Sequence, residues 1–381
     1  MAMTPAAASI SARSRGRRIR PEDARSNNRV LVLQALHREA GLSRADIARA
    51  TGLSQVTISD LVGELVSEQL VIESGPARRS GPGAPSRALA LASAARNVVA
   101  VSISSGDTFE GVVADMAGVA VAREVLARDG ATGADALALL VDLIDRLIDR
   151  AEAPLLGVGV STPGVVDGAG IVRESSHLAW TDVALRDLLR ERTGLPIVVA
   201  NGLNAAGVGE LSHGQVDHDL LLVRIGAGVG AAAIVNGSVV HGRNWTAGEL
   251  GHVVVTEGSG PVCACGRTGC LEAWLSVPKL EARLRKAPDA DAASAVRRQA
   301  GYCLGIALAP LVAALGLTDV VLSGPAELID GTLVDAARAA IGARVLPIVF
   351  DDLVVRRAEA DGDLRLRGAV ALVLAETLGL A

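Results

Sequence analysis

The feature that most constrains this sequence is a cysteine-rich stretch, CACGRTGCLE, at residues 263–272. It holds three of the four cysteines of the chain, Cys263, Cys265 and Cys270, and two glycines between the second and third of them let the chain double back. His252, shortly before this stretch, adds an imidazole nitrogen. The resulting Cys3His set suits tetrahedral zinc, which takes thiolate and imidazole ligands. The spacing therefore predicts a zinc site.

Four protein ligands would fill the coordination sphere of this zinc and leave no open position for an activated water. The sequence therefore predicts a structural zinc rather than a catalytic one. The alternative is a chance cluster of small, buried, unreactive cysteines, which is how free cysteine usually packs. Cys303, alone in an Ala/Leu-rich helical stretch, is expected to be such an ordinary buried cysteine.

A chain of 381 residues is expected to form two or three units, each with its own core. Half of the residues are hydrophobic but only 2% are aromatic, so aliphatic residues must build the cores, with Trp180, Trp245 and Trp274 as exceptions. No apolar run approaches the roughly 20 residues that span a bilayer, and residues 1–30 contain no apolar signal core. A metal-type cysteine cluster also suits a reducing compartment. We therefore expect a cytoplasmic, nucleoid-associated protein with no membrane partner.

The charge is distributed unevenly along the chain. Residues 1–90 hold 13 Arg and 8 acidic residues, whereas the remainder holds 24 basic and 34 acidic residues. A basic N-terminal segment in front of an acidic remainder indicates that the chain contacts a polyanion only through its N-terminal end. Residues 1–24 lack periodicity and are rich in Ala, Ser and Arg, which predicts a disordered basic arm. This arm would either contact phosphates or simply be solvated.

Residues 25–91 show the pattern of a winged helix-turn-helix. A helical pattern runs from Ser26 to Gly41, and a capping box at Ser43–Asp46 starts a short second helix that Thr51-Gly52 ends. A third helix follows, with its apolar face at Ile58, Leu61, Val62 and Leu65. A helix, a glycine turn and a helix that starts with short polar side chains are typical of DNA-binding proteins, in which the second helix of the pair enters the major groove.

The side chains expected to contact DNA are at the start of this third helix and in the following wing. Hydroxyl and amide side chains can read base edges there without clashing with the groove. The stretch from Ser74 to Leu91 reads as a strand, a Gly/Pro/Arg loop and a return strand, whose arginines would lie near phosphates or a minor groove. The predicted DNA contacts are Ser54, Gln55, Thr57, Ser59, Arg78 and Arg79. A plain three-helix bundle is the alternative.

Residues 92–381 have the pattern of an α/β domain. Apolar strands alternate with amphipathic helices, and two rounds of glycine-tipped strands indicate a duplicated fold with a ligand between its halves. The loop Gly226–Gly230 lacks the third glycine of a dinucleotide fingerprint and the Lys-Ser/Thr of a P-loop. This loop is either a tight turn between strands or a phosphate cradle.

With these motifs, the chain resembles the ROK family (repressor, open reading frame, kinase). The likeness rests on the ExGH element, Glu249, Gly251 and His252, and on the CxCGxxGCxE stretch, and it extends over essentially the whole chain. It implies an α/β ribonuclease H-like fold, of the actin-like ATPase and sugar kinase type, behind the winged helix-turn-helix.

The resemblance also implies a sugar pocket that is shaped by the zinc site. Matching positions give the sugar contacts Thr162, Asn201, Glu249, His252 and Glu272. Carboxylates and an amide suit pairs of hydroxyls, and zinc on one nitrogen of His252 would leave the other for a ligand. The alternative for the two glutamates is that they position the zinc ligands.

At several positions this sequence differs from the kinases of the family, and these differences distinguish a sugar sensor from an enzyme. The kinases carry an Asp, the general base, directly after the matching Asn, and here that position is Gly202. The phosphate-loop and adenosine-side positions also differ, at Ser102–Gly106, at Ala227 and at Ser323–Pro325. Phosphoryl transfer needs a positioned base and held phosphates, so we expect no catalytic residues and no kinase activity.

The sequence therefore predicts a sugar-responsive DNA-binding transcriptional regulator of carbohydrate metabolism genes, a repressor, with zinc as its cofactor. Its partners would be operator DNA and a small sugar or sugar-phosphate effector. A homodimer or homotetramer is expected, because two half-sites are normally read by two winged helices. The alternatives are an ATP-dependent, glucokinase-like sugar kinase with a DNA-binding head, and a DNA-binding protein with a purely structural body.

Overall fold

The structure is a computed structural model that describes residues 21–76, 86–103, 106–213, 219–358 and 362–380. Contacts within the chain divide it between Leu91 and Ala92 into two compact units.

The N-terminal unit contains three helices followed by a two-stranded antiparallel sheet. Helix α1 begins at Pro21, earlier than the expected start at Ser26, so residues 21–24 belong to the helix rather than to the predicted arm. Proline suits the first turn of a helix because its missing N–H has no intrahelical partner there. The elements are α1 (Pro21–Arg38), α2 (Arg44–Thr51), α3 (Gln55–Ser67), β1 (Val71–Pro76) and β2 (Arg87–Leu91).

The predicted helix boundaries around the turn are confirmed. The Ser43 hydroxyl accepts from the Asp46 N–H, and the Asp46 carboxylate accepts from the Ser43 N–H, which completes the capping box. Gly52 ends α2 with a φ of 72°, in the left-handed region that glycine tolerates. Ser54 caps α3 by accepting from the Thr57 N–H. These caps fix the angle at which α3 leaves the turn.

The core of this unit lies under α3, whose predicted apolar face at Ile58, Leu61, Val62 and Leu65 is buried. Strand β2 joins that core, since Leu89 is fully buried and pairs with Leu42 in an isolated bridge. Strands β1 and β2 form the expected strand and return strand of a wing. The loop between them, with Arg78 and Arg79, lies outside the described residues.

The C-terminal unit consists of two α/β halves. The first half contains a five-stranded sheet in the order β10-β6-β3-β4-β5 and a small three-stranded sheet, β7-β8-β9. Its elements are β3 (Asn97–Ile103), β4 (Thr108–Asp115), β5 (Ala120–Ala127), α4 (Gly133–Asp149), β6 (Leu155–Thr162), β7 (Val165–Val166), β8 (Val172–Ser175), β9 (Trp180–Val183), α5 (Leu185–Thr193) and β10 (Ile197–Asn201).

The second half contains a five-stranded sheet in the order β13-β12-β11-β14-β15. Its elements are α6 (Gly202–His213), β11 (Leu220–Ile225), β12 (Val229–Val235), β13 (Ser238–Val239), α7 (Leu271–Leu275), α8 (Val277–Leu284), α9 (Ala290–Leu315), β14 (Asp319–Ser323), α10 (Gly331–Gly342), α11 (Pro347–Phe350), β15 (Val354–Arg357) and α12 (Leu364–Leu378). Helix α12 returns to pack on α6 and on the first sheet.

The two large sheets have the same topology. In each, the first three strands form an antiparallel meander, and the fourth and fifth strands run parallel to the first. The expected duplicated ribonuclease H-like fold, of the actin-like ATPase type, is confirmed by this repetition. In such a fold, residues from both halves can line a ligand site that lies between them.

Helix α9 is the core helix of the second half. By length and composition alone it could cross a membrane, but half of its most apolar window is buried inside the protein. Its buried residues, Cys303 among them, pack with β11 and β14 in one hydrophobic cluster. The helix therefore forms the centre of the hydrophobic core of the second half, and Cys303 is the ordinary buried cysteine that was expected.

A buried ion-pair network fixes α6 to the second sheet. Arg356 of β15 donates to Glu210 of α6 at 2.7 Å and to Asp319 of β14 at 3.3 Å. Both carboxylates are buried, and burial raises the pKa of Asp319 even though Arg356 lowers it. This network holds the helix whose first turn borders the candidate ligand cavity.

Candidate functional site

The first turn of α3 presents a mixed polar and apolar surface. Gln55 and Ser59 are exposed, as predicted for residues that contact bases. The hydroxyls of Ser54 and Thr57 are 2.8 Å apart and hydrogen-bond each other, and Ser54 also caps the helix. Val56, which the sequence analysis did not single out, is 72% exposed between them. Gln55, Val56 and Ser59 are therefore the exposed side chains here that take no part in capping the helix.

The cysteine-rich stretch folds into a knuckle of two tight turns. The Cys263 N–H donates to Arg267 O at 2.8 Å, and the Gly266 N–H donates to Cys263 O at 2.9 Å. Gly266 and Gly269 have φ values of 87° and 81°, which favour glycine and confirm their predicted role in reversing the chain. The knuckle returns Cys270 to the N-terminus of α7.

The four predicted metal ligands converge in this knuckle. The ligand atoms of His252, Cys263, Cys265 and Cys270 all lie within 4.8 Å of one another. The Sγ atoms of Cys265 and Cys270 are 3.7 Å apart, and Cys263 Sγ is 3.7 Å from His252 Nδ1. Two ligands about 2.3 Å from a tetrahedral ion are separated by about 3.8 Å. The donor set and these two distances therefore fit zinc.

The thiols of the knuckle differ in their environments. The pKa of Cys265 is lowered to about 7, mainly because the Arg267 N–H donates to it. Burial raises the pKa of Cys270 to about 11. A cation among these sulfurs would favour the thiolate of each, so metal binding and thiol ionisation are linked at this site.

Two glycines place the ExGH element against strand β12. A Cβ at Gly248 would lie 2.1 Å from Ala231 O, and a Cβ at Gly251 would lie 2.2 Å from Val229 O. No other residue fits these approaches, because real Cβ atoms essentially never come within 3.0 Å of such atoms. This close packing leads the chain past β12, so that Glu249 and His252 face the cavity next to the knuckle.

A cavity of about 230 Å³ lies between the two halves of the C-terminal unit. The first half contributes the turn after β6 and the end of β10, and the second half contributes the start of α6, the β11–β12 hairpin, the ExGH element and α7. Its volume suits a monosaccharide-sized ligand better than a nucleotide, because cavities for drug-sized ligands begin at about 300 Å³. The lining residues are Gly164, Val165, Asn201, Leu203, Asn204, Arg224, Gly228, Val229, Gly230, Ala231, Trp245, Ala247, Gly248, Glu249, His252 and Glu272.

Four of the five predicted sugar contacts line this cavity, and Thr162 does not. Thr162 is fully buried, and its hydroxyl donates to Pro163 O at 3.3 Å. Asn201 lines the cavity, but its amide is engaged with the backbone: Nδ2 donates to Gly164 O at 2.7 Å. Its Oδ1 accepts from the first N–H groups of α6. Asn201 therefore organises the cavity wall, with one amide hydrogen left for a ligand.

The two predicted glutamates are placed differently. Among the described residues, the exposed Glu249 carboxylate has no hydrogen-bond partner, so it is free to accept ligand hydroxyls. The Glu272 carboxylate accepts from the Val229 N–H at 3.2 Å and lies 3.9 Å from Cys263 Sγ. Glu272 therefore also braces the knuckle against the hairpin, as the positioning alternative expects. His252 turns Nδ1 toward Cys263, which leaves its other ring nitrogen for the cavity.

Sequence reasoning missed three further polar or aromatic side chains of the cavity. Trp245 lines it and stacks on His241, with ring centroids 4.5 Å apart. Asn204, which the first turn of α6 places in the cavity, lies 3.4 Å from His241 Nδ1. Arg224 reaches the cavity from β11. The scarcity of aromatic residues marked Trp245 as unusual, but no local pattern connects any of the three with Glu249.

The positions that the resemblance assigns to catalysis and nucleotide contact are only partly described. Gly202 is the first residue of α6, and a Cβ there would meet only ordinary contacts at 3.6 Å. The stretch Gly226–Gly228 forms the turn of the β11–β12 hairpin, with Ala227 exposed. Ser323 is buried and accepts from Arg224 at 2.8 Å. Ser104 and Ser105 lie outside the described residues.

Comparison with known proteins finds relatives of two kinds. Over 270 residues the chain is 31% identical to a glucokinase of Halalkalibacterium halodurans, which covers 61% of this chain and 82% of that protein. It is 29% identical to the xylose repressor of Bacillus subtilis, over 65% of each protein, slightly less than two thirds of the relative. It is 26% identical to the DNA-binding transcriptional dual regulator NagC of Escherichia coli over 91% of this chain and 92% of that one.

A solved structure of a ROK family transcriptional regulator, described as a homologue of the E. coli MLC protein, has the same fold. It superimposes with a TM-score of 0.81 at 22% identity and covers 93% of this chain and 98% of its own. The MarR family model matches residues 26–80, and the ROK family model matches residues 99–376. The chain therefore belongs to the ROK family and carries a MarR-type winged helix-turn-helix in front of its ROK domain.

Proposed function

We propose that this protein is a sugar-responsive, DNA-binding transcriptional repressor of carbohydrate genes that has kept a sugar cavity and lost sugar phosphorylation. One observation carries the proposal: the free Glu249 carboxylate and His252, next to Cys263, line a cavity, while the position of the family's catalytic base holds Gly202. Because the same chain carries a helix-turn-helix, ligand binding in this cavity would regulate DNA binding. By their names, the xylose repressor is a repressor and NagC is a DNA-binding transcriptional dual regulator.

Zinc is the proposed cofactor, held by His252, Cys263, Cys265 and Cys270. When bound, it supplies no reaction step but fixes His252 at the cavity wall and joins the ExGH element to α7. The knuckle is otherwise held by a few backbone bonds and a small cluster of buried residues. Loss of the metal would therefore loosen the cavity.

The DNA contacts are proposed to come from the first turn of α3 and from the wing. Gln55 and Ser59 would read base edges, and Val56 is suited to a thymine methyl group. Ser54 and Thr57, predicted as contacts, are assigned mainly to capping. Arg78 and Arg79 would contact phosphates, helped by the basic arm at residues 1–24, and a homodimer or homotetramer would place two units 25–91 on two half-sites. The domain at residues 92–381 would act as the sensor, in the cytoplasm.

The competing proposal is a sugar kinase with a DNA-binding head, which the likeness to a glucokinase favours. The packing around Gly202 does not demand glycine, because an added side chain meets only ordinary contacts. The absence of an Asp there is thus a loss of the base and not a requirement of the fold. A coupled ADP-release assay with a panel of hexoses should show no turnover, and Gly202→Asp should not restore it, because the phosphate-loop positions also differ. Sugar-dependent ADP release by the natural chain would overturn the proposal.

The regulator itself is tested on DNA selected from random sequence by repeated binding to the protein. Titration of that DNA with and without monosaccharides, their phosphates and N-acetyl derivatives should reveal one class of ligand that changes affinity. Glu249→Gln and Glu272→Gln should lose the response and keep the ligand-free DNA affinity. Glu174→Gln is a matched control outside the cavity.

Thermal unfolding separates the sensor from a purely structural body. A ligand at 100 times its dissociation constant should raise the free energy of unfolding by roughly 2.7 kcal/mol. If no sugar shifts either the unfolding temperature or the DNA affinity, the structural-body alternative replaces the sensor.

A further inference from the structure

Arg224 is a charged side chain inside the cavity that the proposed function does not use. It lies in β11 one residue before the end of the strand, opposite Gly230 of β12 and beside Ser323 of β14. Residues in register on neighbouring strands point to the same face of a sheet. Arg224 is thus flanked by Gly230, against which Leu203 packs, and by the small side chain of Ser323, and it lines the cavity.

The position of this guanidinium is fixed by the surrounding structure. Arg224 Nη1 donates to Ser323 Oγ at 2.8 Å, and Ser323 is only 2% exposed. A Cβ at Gly226 would lie 3.6 Å from Arg224 Nε, so the side chain runs along the hairpin turn. An arginine that is hydrogen-bonded at Nη1 and lies along a turn presents its donors in a defined direction and not as a mobile charge.

The chemistry of the cavity wall is therefore divided. Glu249 and Glu272 offer acceptors for hydroxyl groups, whereas Arg224 offers only donors and a permanent positive charge. A neutral monosaccharide needs the first kind of group but gains little from a half-buried cation. An anionic group gains charge-assisted hydrogen bonds from it, and planar or tetrahedral oxyanions match the fork of a guanidinium.

We propose that Arg224 is a specificity-determining residue that binds the anionic group of the effector, which is therefore an anionic monosaccharide. This inference rests on the proposed sugar-sensing function and adds the charge of the ligand. Glu249 and His252 bind hydroxyls of the ring, and Arg224 binds a phosphate or carboxylate on the same molecule. Both sources of the anion share one chemistry, and the choice of probes separates them.

The experiment is isothermal titration of the full-length, zinc-loaded protein with matched probes. The probes are glucose with glucose 6-phosphate and glucuronate, and N-acetylglucosamine with its 6-phosphate. The proteins are the natural chain, Arg224→Gln, Arg224→Lys and the control Arg190→Gln, in which the changed residue lines a separate cavity. In the natural chain and in Arg190→Gln, an anionic member should bind at least about tenfold tighter than its neutral partner.

In Arg224→Gln that preference should disappear, with the neutral partner bound within about twofold of its original affinity, which also shows that the variant is folded. Arg224→Lys should retain part of the preference, because charge remains while the fork is lost. Preference for the 6-phosphate or for glucuronate identifies the anion.

Two results would overturn the inference, and they differ in what they say of the proposed function. If a neutral sugar binds as tightly as its anionic partners, and Arg224→Gln changes neither, the role of Arg224 is refuted while sugar sensing stands. If none of the probes binds, or any other monosaccharide of the wider panel, the sensor function fails and this inference fails with it.

Discussion

Replacing Arg356 by Met should destabilise the C-terminal unit strongly. Among the described residues, Arg356 is the only ion-pair partner of Glu210 and Asp319, whose side chains are 6% and 13% exposed, so the change leaves two carboxylates in a poorly solvated region. Removing one member of a buried ion pair typically costs about 3–5 kcal/mol, because the remaining charge is uncompensated. Since Arg356 is itself 25% exposed, the lower end of that range, about 3 kcal/mol, is expected.

The pH dependence of this loss has a definite sign. Burial already raises the pKa of Asp319, and removal of Arg356 would raise that pKa further. A carboxyl group whose pKa is higher in the folded than in the unfolded protein contributes most to stability at a pH below its unfolded-state pKa. That contribution is lost as the pH rises through the folded value. The destabilisation should therefore be largest at neutral pH and shrink as the pH falls toward 5.

Urea unfolding followed by tryptophan fluorescence measures this effect on the correct unit. All three tryptophans, Trp180, Trp245 and Trp274, lie beyond Leu91, so their signal reports on the C-terminal unit alone. Arg192→Met is the matched control, because Arg192 forms an exposed pair with Asp145 at 2.7 Å. Such a pair contributes at most about 1 kcal/mol. Equal losses in the two variants, or a loss at Arg356 that does not change with pH, would refute the reasoning.

Three further outcomes follow from the described contacts. Cys265→Ser should lower the zinc content below the about one ion per chain expected by elemental analysis and weaken sugar binding at the same time; a metal-free variant with full sugar binding would contradict this. Ser43→Ala should lower the stability of the N-terminal unit by about 0.5–2 kcal/mol, measured by hydrogen exchange of α2, because the hydroxyl that accepts from the Asp46 N–H and donates to the Asp46 carboxylate is lost. Gln55→Ala should relax sequence preference by roughly 1–3 kcal/mol, whereas Arg78→Ala should weaken binding to selected and random DNA alike; equal effects of both on the two DNAs would show that α3 is not the reading helix.

Local sequence signals were sufficient for most of the fold. The capping box at Ser43, the left-handed glycine at Gly52 and the apolar face from Ile58 to Leu65 each state a local requirement that the chain can satisfy in one way. The start of α1 was the exception, because proline is compatible with both a helix start and a loop. The convergence of Cys263, Cys265 and Cys270 was also predictable, since their spacing allows few arrangements.

The cavity was less predictable because its walls come from distant segments. Arg224 and Trp245 reach it through strand register and a loop, and nothing in their local sequence distinguishes them from surface residues. Thr162 does not line the cavity for a related reason. Side chains alternate between the two faces of a strand, and at this position of β6 the side chain lies in the core, although the chain passes next to the cavity. Ser54 and Thr57 show that a residue suited to DNA can already be engaged in helix capping.

The most direct test of the account measures the coupling between sugar and DNA in both directions. The affinity of selected DNA is determined with and without saturating effector, and the affinity of the effector is determined with and without saturating DNA. If the C-terminal cavity regulates the helix-turn-helix, the two ratios must be equal, and a factor of about 5–150 is expected for a coupling of about 1–3 kcal/mol. Glu249→Gln should abolish the effector dependence and keep the effector-free DNA affinity. Ratios of one in both directions, with effector and DNA each bound, would contradict the account.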